Sequence, residues 1–223
     1  MRALPTQLVE AGFHLLYHDA AWAYDAVAAA VSLGQWRSWG AAALPFLPGP
    51  RVLELGHGPG HILVALAAAG YDATGLDLSP QMGRLAARRL ANLSGRPALI
   101  RARAQELPVP SGALDGILAT FPTRYIIDPR TLAEVHRALR PGGALVVVPE
   151  ARLGGQRAHV RFIRWLYEAT GQSGYPDGSA ARDFWSASLA PAGFDISAYP
   201  IHVGDSVATV IVARRPLESP GSR

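Results

Sequence analysis

Residues 52–60 read VLELGHGPG: a hydrophobic run carrying one carboxylate, Glu54, and then Gly56, Gly58 and Gly60 at alternate positions with His57 and Pro59 between them. Backbone bared at that density admits close approach by a phosphate, a dinucleotide or another nucleoside-like ligand, or it simply makes a tight turn. The dinucleotide pattern G-x-G-x-x-G would place its third glycine at position 61, which is His61, so the spacing here is G-x-G-x-G. Glu54 stands two residues before the first glycine. A carboxylate so placed repels a pyrophosphate and attracts an ammonium. Asp77 closes the next apolar stretch, GLDL, 17 residues after Gly60. A carboxylate there can accept two hydrogen bonds from a ribose diol. Together these residues suit a nucleoside that carries an ammonium group and no phosphate.

Such a loop works only at the end of a strand that a helix follows. The spacing predicts strands over 51–56, 71–78, 98–104, 113–120 and 144–150. Helices are expected over 60–70, from Pro80 onward with Ser79 as its N-cap, and over 129–140, the last stopped by Pro141-Gly142-Gly143. Nearly continuous apolar strands between helices describe a parallel sheet covered on both faces. Nucleotide-like ligands bind such sheets at the carboxyl ends of the strands, where the next helix offers its first N–H groups. The segment GFDISAYPIHVGDSVATVIVARRP reads as two strands joined at Gly204-Asp205-Ser206, a β-hairpin. Leu8–Ala43 is helical in pattern, broken at Ser32–Gly34 and ended by Pro45, Pro48 and Pro50. One domain over 1–223 follows: a helical cap (8–43), a ligand-binding core (51–150), inserted helices (151–192) and a terminal hairpin (193–215).

Composition removes several chemistries. The 223 residues include no cysteine and no lysine, all 21 basic residues being arginine. Thiol nucleophiles, disulfides, the P-loop lysine and Schiff-base catalysis are excluded. The net charge is +4, but the arginines are scattered, without a basic tail or aromatic–basic alternation, so no nucleic-acid partner is expected. No apolar run approaches the ~20 residues that span a bilayer, so no stable membrane insertion is expected. Pro5, Glu10, His14 and Asp19 interrupt the first residues, which makes a poor signal peptide and favours a cytoplasmic protein.

VLELGHGPG, GLDLSPQM, ARAQELPVPSGALDGILATF and EVHRALRPGGALVVV resemble, in order and spacing, the successive motifs of class I S-adenosylmethionine-dependent methyltransferases. The resemblance runs from about Arg51 to the final hairpin. It implies a Rossmann-like α/β fold with a seven-stranded, mostly parallel sheet of order 3-2-1-4-5-7-6. It also implies S-adenosyl-L-methionine as cofactor, with Glu54, Gly56, His57, Gly58 and Gly60 around its methionine part and Asp77 on its ribose. By the same resemblance Leu78 and Met82 pack on the adenine, Ala104 and Gln105 meet its edge, and Thr120 and Phe121 flank the cofactor beyond the fourth strand. One departure stands out. Where members often carry an acid that accepts from the adenine amino group, this chain has Arg103, and the Gln105 amide oxygen is the substitute. ATFPTRY after the fourth strand also lacks the Asn/Asp-Pro-Pro-Tyr run of methyltransferases acting on bases. YDAVAAAVSLGQWRSW, residues 24–39, resembles the stretch before the glycine loop in quinone-biosynthesis C-methyltransferases, which implies that Tyr24 lies over the cofactor as part of a lid.

The function expected is methyl transfer to a small, apolar or aromatic acceptor of quinone or lipid type. The alternative is a module that holds the cofactor or its product without turnover. A general base is needed only if the acceptor carries a proton when it attacks. His18, Tyr24 and Tyr125 are the catalytic candidates, with His14, Tyr17, Glu150 and His159 behind them. Glu10, His14 and His18 share one helical face, but a polar stripe is the commoner use of such a pattern and no metal is expected. QRAHVRFIRWLYEAT (156–170) reads as a helix over the sheet or active site, with peripheral membrane contact as the lesser reading. Trp165, Tyr167, Tyr175 and Trp185 would suit an apolar pocket wall or an ordinary core, and His136 is expected on an exposed helix face.

Overall fold

The computed structural model describes residues 34–152 and 178–217. Its strands are β1 (Arg51–Leu55), β2 (Asp72–Asp77), β3 (Ala98–Arg101), β4 (Leu114–Thr120), β5 (Leu139–Val148), β6 (Ala151–Arg152), β7 (Asp195–Val203) and β8 (Ser206–Arg214). The helices are α1 (Trp36–Ala41), α2 (His61–Ala68), α3 (Pro80–Leu90), α4 (Pro129–Ala138) and α5 (Gly178–Leu189). Ser79 caps α3 through its side chain and Asp128 caps α4, each ahead of a proline at the first helical position.

β1 to β5 lie parallel in the order β3-β2-β1-β4-β5, and β8 runs antiparallel between β5 and β7. This is the expected arrangement with one correction: the described sheet has eight strands, not seven. The extra strand, β6, continues β5 along the same edge of β8. Val147 faces Ile211, so an unbroken register would set Ala151 opposite Val207, yet Ala151 faces Ala208. One residue more on the β5 side makes a bulge that splits one long strand in two.

The start of β5 also departs from expectation. Pro141-Gly142-Gly143 does not separate helix from strand; it is carried within β5. Leu139 already faces Leu114 on β4, and the register shifts before Ala144 faces Gly116. Arg215 binds across this stretch, its N–H donating to the Gly143 carbonyl at 2.9 Å and its carbonyl accepting from Gly142 N–H at 2.9 Å.

Alternation along the strands divides the core into two faces. Leu53, Leu55, Ile117, Leu145 and Val147 meet Leu132 and Val135 of α4 and Trp185 and Leu189 of α5. Val52, Leu118, Val146 and Val148 meet Trp39 of α1 and Ile62, Leu63 and Leu66 of α2. Trp185 is therefore core on the α5 side. His136 is half-buried, not exposed: its ring packs edge-on to Phe194 at 5.2 Å. Ser206 Oγ donates to Gln35 Oε1 at 2.8 Å and so ties the hairpin to the residue before α1.

At the amino ends of the strands a nearly buried carboxylate holds the sheet together. Asp115 accepts the Arg51 N–H at 2.9 Å, the Arg51 guanidinium, and the Arg140 guanidinium. Burial alone would raise its pKa; the bonds from Arg51 and then Arg140 outweigh that and hold it at about 2. The folded pKa lies below the unfolded value, so this stabilisation is present above about pH 4 and disappears as pH falls through about 2. Asp115→Asn is expected to cost about 1–3 kcal/mol at neutral pH and to flatten the acid limb of a thermal-unfolding series between pH 5 and 2.

Candidate functional site

β1 carries Glu54 on the same face as Val52, under α1 and α2. Glu54 is 1% exposed, and its Oε2 finds no hydrogen-bond partner among the described residues. Burial, and secondarily the charge of Asp77, pushes the Glu54 carboxyl well above the ordinary range. A buried carboxyl left in this state is costly to folding, and a cationic ligand group would relieve it.

The glycine loop beyond Glu54 is fastened to the end of β2. Gly56 and His57 N–H both donate to the Leu76 carbonyl, at 2.7 and 3.3 Å, and Gly58 N–H donates to Asp77 Oδ2 at 2.9 Å. Asp77 Oδ1 accepts from Ser79 N–H at 2.8 Å. The expected ribose acceptor thus already braces the loop against the turn into α3. Each of its oxygens keeps a second lone pair for a diol hydroxyl. Gly60 (φ +83°) caps α2, and a Cβ there would come within 2.9 Å of the Ala86 Cβ on α3. Gly58 (φ +52°) differs, since a Cβ there would meet nothing within 4 Å. It is the loop position that faces open space.

His57 supports the loop from within. It is 5% exposed, and its Nδ1 donates to the Gly58 carbonyl at 2.7 Å. Burial lowers its pKa against the opposing pull of Asp77, so the ring is neutral with Nε2 as its acceptor. It occupies room that Gly75 leaves on β2, where an added Cβ would sit 2.9 Å from His57 Cδ2. Tyr125 lies in a turn after β4, and its hydroxyl donates to the Leu55 carbonyl at 3.1 Å while lying against Gly56. The bond ties Tyr125, one of the catalytic candidates, to the loop.

The remaining expected positions divide. Leu78 is 52% exposed just past Asp77, a ready platform for a flat ring. Met82 is wholly buried on the inner side of α3, its N–H donating to Ser79 Oγ at 3.3 Å. Ala104 is also buried. Gln105 lines an open cleft of about 420 Å³ with Arg103, Glu106, Asp128 and Arg130, and its Nε2 donates to Asp128 Oδ2 at 3.1 Å. Thr120 and Phe121 end β4 beside α1. Phe121 has φ +49°, the one positive value for a non-glycine among the described residues, and its ring meets Trp39 edge-on at 6.3 Å. Left-handed backbone at such a residue costs about 1–2 kcal/mol and concentrates at functional sites.

His18 and Tyr24 lie outside the described residues, as do Glu10, His14, Tyr17, His159, Trp165, Tyr167, Tyr175 and the helix read over 156–170. Among the described residues no cluster of three or more potential metal ligands occurs, and no helix is long and apolar enough to cross a membrane. Sequence reading missed Asp128, whose Asp-Pro pair announces a helix cap but gives no hint that it reaches Gln105. It also missed Trp39 beside Phe121.

A model of the methyltransferase domain matches residues 52–143. A demethylmenaquinone methyltransferase from Parafrankia sp. is 30% identical over 174 residues, which cover 69% of this chain and 68% of that protein. The chain belongs to the class I S-adenosylmethionine-dependent methyltransferases. A second relative, the demethylmenaquinone methyltransferase of Clavibacter sepedonicus, is 32% identical over 136 residues, covering 59% of this chain. This chain spans little more than half of that relative's length, 55%. A solved SAM-dependent methyltransferase from Thermotoga maritima superposes with a TM-score of 0.60 at 19% identity, covering 91% of this chain and 99% of that one, and shares the fold.

The family's cofactor, S-adenosyl-L-methionine, fits what the residues offer: a buried carboxyl with one oxygen unpartnered among the described residues for an ammonium, an open glycine for close approach and a carboxylate for a diol. An acid whose folded pKa is raised loses stability as pH climbs above the ordinary carboxylate range, because the unfolded chain ionises first. Without ligand, Glu54→Gln is therefore expected to raise Tm at neutral pH, by an amount equivalent to about 1–3 kcal/mol, and to flatten the decline between pH 5 and 7. A lower Tm for the variant at pH 7 would contradict this account of Glu54.

Proposed function

We propose that this chain transfers a methyl group from S-adenosyl-L-methionine to a small apolar acceptor of the quinone type. The observation that carries the cofactor half is Glu54, a buried carboxyl two residues before the glycine loop with one oxygen unpartnered among the described residues. A pyrophosphate would be repelled by Asp77 and would keep the buried Glu54 carboxyl from ionising, whereas the ammonium and ribose of an S-adenosyl ligand use both. Glu54 holds the ammonium, Gly58 N–H and Asp77 form the edge against the ribose, and Leu78 offers its exposed side chain to the adenine.

The cofactor supplies a methyl group already activated on a sulfonium. What the chain must add is alignment and exclusion of water, which can account for most of the acceleration of an in-line displacement. The end of β4 supports that reading. The strained Phe121, packed on Trp39 where β4 ends, offers an apolar margin against which a flat apolar ring can be held. The quinone class is favoured by the relatives, which are demethylmenaquinone methyltransferases.

Asp77→Ala and Gly58→Val are each expected to weaken S-adenosylhomocysteine binding by at least about tenfold. The first loses hydrogen bonds to a charged group, worth about 1.5–3 kcal/mol; the second fills the open space of the loop. Calorimetric titration reads both, and near-normal affinity in both would overturn the placement of the site. For the acceptor, isotope-labelled methyl transfer into fractionated cell extract, with Asp77→Ala as blank, is expected to place label in the organic-soluble fraction. Label confined to water-soluble products would overturn the quinone assignment and keep the transferase. Tight cofactor binding with no label in any fraction would favour a module without turnover.

A further inference from the structure

The arginines form no tail, but the acids avoid one stretch. Leu78–Gln105 holds six of the 21 arginines, Arg84, Arg88, Arg89, Arg96, Arg101 and Arg103, and no aspartate or glutamate. It carries +6 against +4 for the whole chain, so everything outside it nets −2.

In the fold this stretch is α3, the loop after it and β3, the outermost strand on that side of the sheet. Met82, Ala86 and Leu90 turn inward, which leaves Arg84 and Arg88, one turn apart, exposed on the opposite face of α3. Arg101 is exposed at the end of β3, and its Nε donates to the Leu78 carbonyl at 3.1 Å, at the start of α3. The other three are engaged or opposed. Arg89 donates to the Pro59 carbonyl, Asp72 lies level with Arg96, and Glu106 and Asp128 share a cleft with Arg103. Arg84 and Arg88 make no ion pair among the described residues.

Stability accounts for part of this pattern only. Arg88 lies in the last turn of α3, where a cation suits the helix dipole, but Arg84 does not and repels Arg88. Charge on an edge strand discourages pairing with another chain, which covers Arg101 but not the outer face of α3.

We propose that the outer face of α3 and the adjoining end of β3 dock on an anionic lipid bilayer, guanidinium groups meeting lipid phosphates. Residues 72–120 contain no aromatic side chain, so the face lacks the stacking platforms by which single-stranded nucleic acid is held. An acceptor of quinone type dissolves in a bilayer; that support rests on the reading above, whereas the charge pattern does not. Docking gathers the enzyme at the surface beneath which such an acceptor lies.

The test is sedimentation of the full chain with vesicles of phosphatidylcholine, alone or with 30% phosphatidylglycerol. The wild type is expected to bind the anionic vesicles at least about tenfold more tightly, and to release them in 0.5 M salt. Arg84→Gln/Arg88→Gln is expected to weaken that binding by about fivefold for each arginine removed. Its Tm should be no lower than the wild type's, and its affinity for S-adenosylhomocysteine unchanged. Arg182→Gln/Arg214→Gln removes the same charge from exposed positions on α5 and β8, and is expected to bind vesicles like the wild type. Equal binding to both vesicle types, equal loss in the two double variants, or full binding by the α3 variant overturns the proposal. So does tighter binding to a single-stranded oligonucleotide than to the anionic vesicles. Docking by a protein that labels no organic-soluble acceptor supports this face and counts against the quinone reading alone.

Discussion

A single half-buried carboxylate sets the geometry on which the site depends. Asp77 receives the N–H of Gly58 from the glycine loop and the N–H of Ser79 from the turn into α3. Two strand ends and a helix start are thereby fixed to one another through two charge-assisted bonds, of the stronger kind available to backbone donors. Leu76 adds its carbonyl beneath Gly56 and His57, and Tyr125 reaches across from the β4 side to the Leu55 carbonyl. The loop is bare of side chains at the position that faces open space, yet it is held from three directions. Preorganisation of this kind lets backbone N–H groups meet a ligand without first being ordered by it.

The two ends of the sheet treat a buried carboxylate in opposite ways. At the amino ends Asp115 is surrounded by donors, its pKa is held near 2, and its role is cohesion. At the carboxyl ends Glu54 is just as inaccessible, but one oxygen is unpartnered among the described residues and its pKa is driven up by burial and by Asp77. A fold optimised for stability alone would put an apolar residue in place of Glu54. It stands at the strand end where parallel sheets take ligands, with α2 opening five residues past Gly56, and a cationic group there would offset its cost.

Much of this was legible in the sequence. The apolar strands between proline- and glycine-marked boundaries gave β1, β2, β4 and the hairpin to within a residue or two, because burial on both faces leaves a pattern that few alternatives share. Glu54, the three glycines and Asp77 were legible for the same reason, being chemically out of place in an apolar run. Contacts between distant segments were not. Periodicity cannot show that Met82 turns inward under α3, that the Tyr125 hydroxyl is engaged by a β1 carbonyl, or that Asp128 finds Gln105. Nor can it show that Pro141-Gly142-Gly143 is absorbed into β5, since that depends on Arg215 pairing across it.

The central claim is that Glu54 receives the ammonium of an S-adenosyl ligand. An ammonium beside a carboxyl of raised pKa draws it into the ionised form, so binding must expel a proton. The direct measurement is titration calorimetry of S-adenosylhomocysteine near pH 6 in buffers of different ionisation enthalpy, for the wild type and for Glu54→Gln. The account predicts net proton release in the wild type and none in the variant, which binds more weakly. Equal affinity with no proton release in either protein would contradict it.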